Sequence, residues 1–198
     1  MATAEQRTLT PRGEARREAI LEAAEQVFAE RGYDGASIAD IARAASTAKS
    51  VIYDHFASKA ELHKAAVEAR GKELQAHVAS AVAEKASERA NERLRAGVDA
   101  YFRYVEAHPA AWNLLVRDAP AEPELVEYHA DFQRRARDAV ATLFVADHDD
   151  PELRLHKEMN AEALRTAIGG LARWWYDHPK VPREKLVEAI MRLDWFGH

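Results

Sequence analysis

Between Lys49 and His55 the run K-S-V-I-Y-D-H carries an ammonium, a hydroxyl, a phenol and an imidazole within two helical turns. On a helix Ile52 with Phe56 at i, i+4 makes the inward face, and Lys49, Ser50 and Tyr53, with His55, are what remains to point outward. Such donors suit phosphate oxygens and base edges, so the chemistry implied is recognition of a nucleic acid. Patterns for catalysis are missing. The chain has no H-E-x-x-H, no G-x-x-x-x-G-K, no G-x-G-x-x-G, no Glu-x-x-His pair and no cysteine. Among its 9 histidines, His129 with Asp131 and His156 with Glu158 stand two residues apart, which sends the paired side chains to different sides of a helix. Neither pair reads as a metal site, and no cofactor is implied.

Those donors need a frame. Ser37 is a candidate N-cap with Asp40 in capping-box position, and Ile38, Ile41, Ala42 and Ala45 follow with a helical period. Ser46 and Thr47 supply turn chemistry, with Thr47 as a second N-cap, and Ile52 and Phe56 at i, i+4 form the next inward stripe. Two short helices joined by such a turn are a helix-turn-helix whose second helix fits the major groove. The same period also describes an ordinary helical hairpin with a solvated side. The residues around it decide between the two.

From Ala15 to Leu62 the chain resembles the DNA-binding segment of TetR-family transcriptional regulators. Arg17 to Phe28 with Glu30-Arg31-Gly32-Tyr33 is similar to the family's first helix and its glycine stop. Asp40-Ile41-Ala42-Arg43-Ala44-Ala45 resembles its second helix, and Ile52-Tyr53 with Phe56, Ser58, Lys59, Glu61 and Leu62 its recognition helix and the entry to helix four. The chain departs from the family by carrying Ser46 where glycine is common in the turn, Ala48 where serine is common and Ser50 where glycine is common. A serine held at positive φ is strained where glycine is not.

Outside that segment the sequence is helical throughout. Residues 1 to 13 read as a flexible arm bearing Arg7 and Arg12, and residues 14 to 58 as a three-helix DNA-binding domain ending helix one at Gly32. Ser58 and Glu61 form S-x-x-E at the start of helix four, where Lys59 is placed to meet a DNA phosphate. Residues 59 to 198 form a second helical domain. Helix four runs to the mid-eighties, and further helices cover about 88 to 108, 110 to 118, 123 to 146, 151 to 178 and from Pro182 onward. Asp147 to Asp150 make an acidic turn, with Asp150 as N-cap and Pro151 at N1 of helix eight. Helix eight is apolar over a wide arc, with Met159, Ala163, Ala167, Gly170 and Trp174 beside the stripe Leu164, Ile168, Leu171 and Trp175. The last helix carries Leu186, Ile190, Leu193, Trp195 and Phe196.

Composition sets limits. The 198 residues are 47% hydrophobic and 31% charged with a net charge of −5, and residues 1 to 60 hold 8 Lys and Arg against 9 Asp and Glu. DNA affinity must therefore come from local charge and carry a moderate salt slope. No run of apolar residues reaches membrane-spanning length, and the lack of cysteine fits a cytoplasmic protein.

The expectation is an all-α chain of about nine helices: an N-terminal helix-turn-helix domain and a C-terminal helical ligand-binding and dimerisation domain. Its function is DNA-binding transcriptional regulation and not catalysis. The resemblance implies a homodimeric repressor released from a palindromic, double-stranded operator by a small hydrophobic effector. The DNA contacts fall to Ser37, Thr47, Lys49, Ser50, Tyr53, His55 and Lys59. Tyr101, Tyr104, Trp112, Phe132, Trp174 and Trp175 are candidates for an apolar cavity, with Arg117 or Arg135 to meet an acid group. The alternatives are a helical protein-interaction module without DNA binding and, behind it, a helical enzyme.

Overall fold

The computed structural model describes residues 10–116, 120–142 and 151–193, the side chains of 151–154 apart. Arg117, the arm up to Leu9, Leu143 and Phe144, the acidic turn Asp147 to Asp150, Trp195 and Phe196 lie outside the described residues. Among the described residues all regular structure is helical: α1 Pro11–Gly35, α2 Ile38–Ala44, α3 Lys49–His55, α4 Lys59–Ala83, α5 Ala90–Ala107, α6 Pro109–Val116, α7 Pro123–Ala141, α8 Pro151–Tyr176 and α9 Arg183–Met191. None of these helices is long and apolar enough to cross a membrane. The chain divides into two compact units, one up to Val67 and one from Glu68 onward.

In the first unit α1 begins earlier than residue 14. Thr10 caps it by accepting from the Gly13 N–H at 3.3 Å, and Pro11 takes the first helical position, where a missing N–H costs nothing. Thr10-Pro11 is thus a helix start and not the end of an arm. Gly32 breaks the helix with φ 72 and ψ 174, a conformation essentially reserved for glycine. Ile20, Leu21, Ala24, Val27 and Phe28 of α1 are buried, as are Ile41, Ile52, Phe56, Leu62, Ala66 and Val67. His63 of α4 sits edge-on to the rings of Phe28 (4.9 Å) and Tyr33 (5.2 Å). The first two turns of α4 therefore complete this core, and the division falls inside α4.

The turn between α2 and α3 has a definite geometry. Thr47 N–H donates to Ala42 O at 2.9 Å and Ser46 N–H to Arg43 O at 3.2 Å, the two bonds of a Schellman motif, with Ser46 at φ 49. The expected strain at Ser46 is present. Ser46→Gly should raise the stability of this domain by about 0.5–1 kcal/mol, read as a later urea midpoint at unchanged slope. An unchanged or earlier midpoint would contradict it. Thr47 stands one residue before the N-cap position of α3, so it does not cap that helix. The N-cap residue is Ala48, which offers no side-chain bond.

The second unit packs around Leu94, Val98, Phe102, Val105, Trp112, Ala161, Leu164, Ile168, Ala172, Trp175, Leu186, Val187 and Ile190. Leu164, Ile168 and Trp175 of α8 and Leu186 and Ile190 of α9 fall on the expected apolar stripes, and Ala161, Ala172 and Val187 add to them. Pro109 opens α6 as its first residue, one earlier than expected. Arg183 ties α9 to α5 through Asp99 (3.0 Å) and Glu106 (2.8 Å). Along α4, Glu68 receives both arms of Arg135 at 3.1 and 3.2 Å and the Tyr128 hydroxyl at 3.1 Å. One turn on, the Phe132 ring lies so close to Gly71 that a Cβ there would stand 2.5 Å from it.

Candidate nucleic-acid interface

α3 is positioned by its buried residue. Ile52 is fully buried and Phe56 closes the C-terminal end, so the other side of the helix must face outward. Lys49, Ser50, Tyr53 and Asp54 are exposed there, and His55 is half-buried against Phe56 at 6.3 Å between ring centroids. Tyr53 is 54% exposed although it is a large aromatic residue. No intramolecular bond to its hydroxyl is found among the described residues. A phenol held outward beside an ammonium and a hydroxyl can donate to phosphate and contact a base edge.

The remaining expected contacts are engaged within the protein. Ser37 caps α2 by accepting from the Asp40 N–H at 3.2 Å and donates its own proton to the Asp40 carboxylate at 2.5 Å. That carboxylate also meets Arg43 at 3.0 Å and Arg31 at 3.2 Å. The Ser37 hydroxyl and then Arg43 hold Asp40 below its ordinary carboxylate range. Thr47 accepts from Arg16 at 3.4 Å, which brings an α1 guanidinium to the edge of α3. Nothing local in the sequence indicates the partner of Arg16 in the turn. Arg17 covers the Phe56 ring at 5.1 Å.

Lys59 is the most engaged of these residues. Its ammonium donates to Tyr33 O at 3.0 Å and Ala36 O at 3.3 Å and lies 4.0 Å from the centre of the Tyr33 ring. It ties the end of α1 to the start of α4, leaving one N–H for an anion. Lys59→Met keeps the stem and removes both charged bonds. The domain should lose about 2 kcal/mol, seen as an earlier urea transition. A residue serving only as a phosphate contact would leave that transition in place. The S-x-x-E start of α4 is present, with Ser58 Oγ accepting from Glu61 N–H at 3.0 Å and Glu61 accepting from Ala57 N–H at 2.6 Å.

In the second unit the aromatic candidates do not form a single wall. Tyr101 and Trp112 are brought together, the indole N–H donating to the phenol oxygen at 2.7 Å. Tyr104 is buried and its hydroxyl donates to Arg70 O at 3.4 Å. Phe132 rests on Gly71, and Arg135 is bound to Glu68. Trp175 belongs to the core and donates to Val181 O at 2.8 Å. Trp174 is 44% exposed and stacks on His178 with centroids 4.0 Å apart, so it is a surface residue and not an interior wall. Sequence reasoning passed over Gln133 and Arg165, which join α7 to α8 at 3.0 Å, because apolar periodicity says nothing of such a pair.

Comparison with known proteins fits this geometry. The family model described as bacterial regulatory proteins, tetR family, matches residues 20–66, and that for the tetracyclin repressor-like C-terminal domain matches residues 90–197. The HTH-type transcriptional activator FasR of Mycolicibacterium smegmatis is 32% identical over 190 residues, covering 94% of this chain and 84% of that protein. Among solved structures, the fatty acid degradation regulator FadR of Bacillus halodurans superposes with a TM-score of 0.75 at 20% identity, over 96% of this chain and 98% of that one. FadR of Bacillus subtilis, solved in complex with stearoyl-CoA, does so with a TM-score of 0.73 at 18% identity, over 91% and 98%. With both family models matched along most of its length and a relative 32% identical over 94% of it, the chain belongs to the TetR family and is a DNA-binding transcriptional regulator, not an enzyme.

Proposed function

We propose that this regulator is a cytoplasmic homodimer that binds a palindromic operator through two copies of α3 and leaves it when a small hydrophobic molecule enters the helical domain. The observation that carries the DNA part is the outward set Lys49, Ser50 and Tyr53, exposed on a helix whose opposite side is buried. In a two-fold dimer, recognition helices about 34 Å apart meet successive major grooves, and an effector that alters this spacing releases the DNA.

The dimer reading rests on α8. Leu155 (56%) and Met159 (58%) are exposed, Trp174 lies on the same stripe four turns on, and open space surrounds Gly170. An exposed apolar stripe with a small residue one turn before Trp174 suits a second copy of itself. We read the regulator as a repressor, although the FasR relative is named an activator.

The test is fluorescence anisotropy on the DNA upstream of the protein's own coding sequence, against a shuffled duplex, at near-physiological salt. Specific binding lost in Tyr53→Ala supports the reading, and equal binding to both duplexes in this and in selected random DNA would refute it. Stearoyl-CoA, held by the Bacillus subtilis neighbour, is the first effector to titrate against the complex.

A further inference from the structure

The helix-turn-helix between Ser37 and Phe56 contains two acids, Asp40 and Asp54, and the fold treats them differently. Asp40 is held by Arg31 at 3.2 Å and Arg43 at 3.0 Å. Asp54 is exposed, and no hydrogen bond or ion pair of its side chain is found among the described residues. The residues three and four positions from it along the chain are Ser50, Val51, Ala57 and Ser58, none of them a cation. Two cations near the end of α3 are engaged elsewhere, Lys59 with Tyr33 O and Ala36 O and Arg17 with the Phe56 ring.

At 3.6 residues per turn, residue 54 lies about 200° around α3 from the buried Ile52. Asp54 therefore stands on the strip opposite the buried one, in line with Ser50 one turn before it, while Lys49 and Tyr53 lie together along a flank. A helix seated in the major groove turns its outermost strip to the base edges and its flanks to the phosphates. The carboxylate is thus placed where bases are read.

An unpaired anion on this face lowers affinity for every duplex, and residues 1 to 60 have no excess of cations to offset it. Against base edges the same anion is selective. It accepts hydrogen bonds and donates none, so only the amino groups of cytosine and adenine can meet it. Adenine sets the N7 lone pair beside its amino group, which repels the second carboxylate oxygen, whereas cytosine has a C–H there. Guanine and thymine offer the carboxylate acceptors alone and are rejected.

We infer that Asp54 is a specificity-determining residue whose carboxylate accepts from the N4 amino group of one cytosine in each half-site and repels duplexes lacking it. The inference rests on α3 as the recognition helix, as proposed above. Asp54 gives up overall affinity for discrimination between sites.

The test uses the full-length protein and its Asp54→Asn and Asp54→Ala variants. Each selects sites from random duplexes, and the enriched sequences are measured by fluorescence anisotropy at near-physiological salt. The parent should fix one C·G pair in each half-site, and replacing that cytosine by thymine, which puts a carbonyl where the amino group was, should weaken its binding about tenfold or more. For Asp54→Asn, whose amide both donates and accepts, the same replacement should cost less than about threefold. Its affinity for shuffled duplex should rise about threefold, because one anion per recognition helix is gone. Asp54→Ala should lose the cytosine preference as well, and both variants should melt where the parent does. If both variants bind all duplexes tighter by one common factor and still select the same bases, Asp54 acts by repulsion alone and the base assignment is overturned. If the parent itself enriches no sequence, the reading of α3 fails and this assignment falls with it.

Discussion

Tyr53→Ala should weaken specific operator binding by about 100-fold or more while the melting temperature stays where it is. Tyr53 is 54% exposed, and no bond from its hydroxyl is found within the described residues, so truncating it removes little from the fold. At the DNA each lost side-chain contact is worth about 1–3 kcal/mol, and a two-fold dimer loses it twice. Tyr53→Phe, which keeps the ring, should fall between the variant and the parent and so separate stacking from the hydroxyl bond. Binding to shuffled duplex should change far less, because Lys49 and the α1 arginines still supply phosphate attraction. A drop of many degrees in melting temperature with Tyr53→Ala would show the residue to be part of the core instead.

The second large effect is expected from the second unit. On the homodimer proposed above, Gly170→Glu should give a species sedimenting near 22.2 kDa, where the parent is expected at about twice that. No heavy atom lies within 4 Å of a Cβ at Gly170, so glutamate fits the isolated chain, and a helix interior prefers it to glycine. In the dimer the same carboxylate would face its own two-fold mate across an apolar seam, uncompensated on both sides. Operator affinity should fall with it by a factor of about 100 or more, since each half-site must then be bound separately. A variant that remains a dimer at micromolar concentration would move the interface away from α8.

What could be read in advance follows the range of the interactions involved. The helix-turn-helix was legible because its signals are local: Ser37 with Asp40, Ser58 with Glu61, and the inward Ile41, Ile52 and Phe56 all act within one or two turns. Ser46 was legible as a strained turn residue for the same reason. Lys59 was not, because its partners are the carbonyls of Tyr33 and Ala36, more than twenty residues back, and a lysine beside a helix start carries no mark of turning inward. Thr10 was passed over because a threonine before proline in a polar stretch suits both an arm and a cap. Of the aromatic candidates, Tyr101 and Trp112 share a contact and Trp174 faces outward. Helical spacing says which side of a helix a residue is on, and not whether a hollow, a core or a second protomer lies across from it.

The close fit of Phe132 over Gly71 bears on how sequences of this kind can drift. Position 71 lies within a long helix, where alanine is favoured over glycine by about 1 kcal/mol, so mutation alone should remove the glycine often. A methyl group there would meet the ring at 2.5 Å, and one of the two must give way. The two positions should therefore change in concert: descendants with alanine or serine at 71 should have lost the aromatic ring at 132, and those keeping the ring should keep the glycine. The double variant Gly71→Ala with Phe132→Leu imitates that step, and the glycine replacement should help it more than it helps the parent.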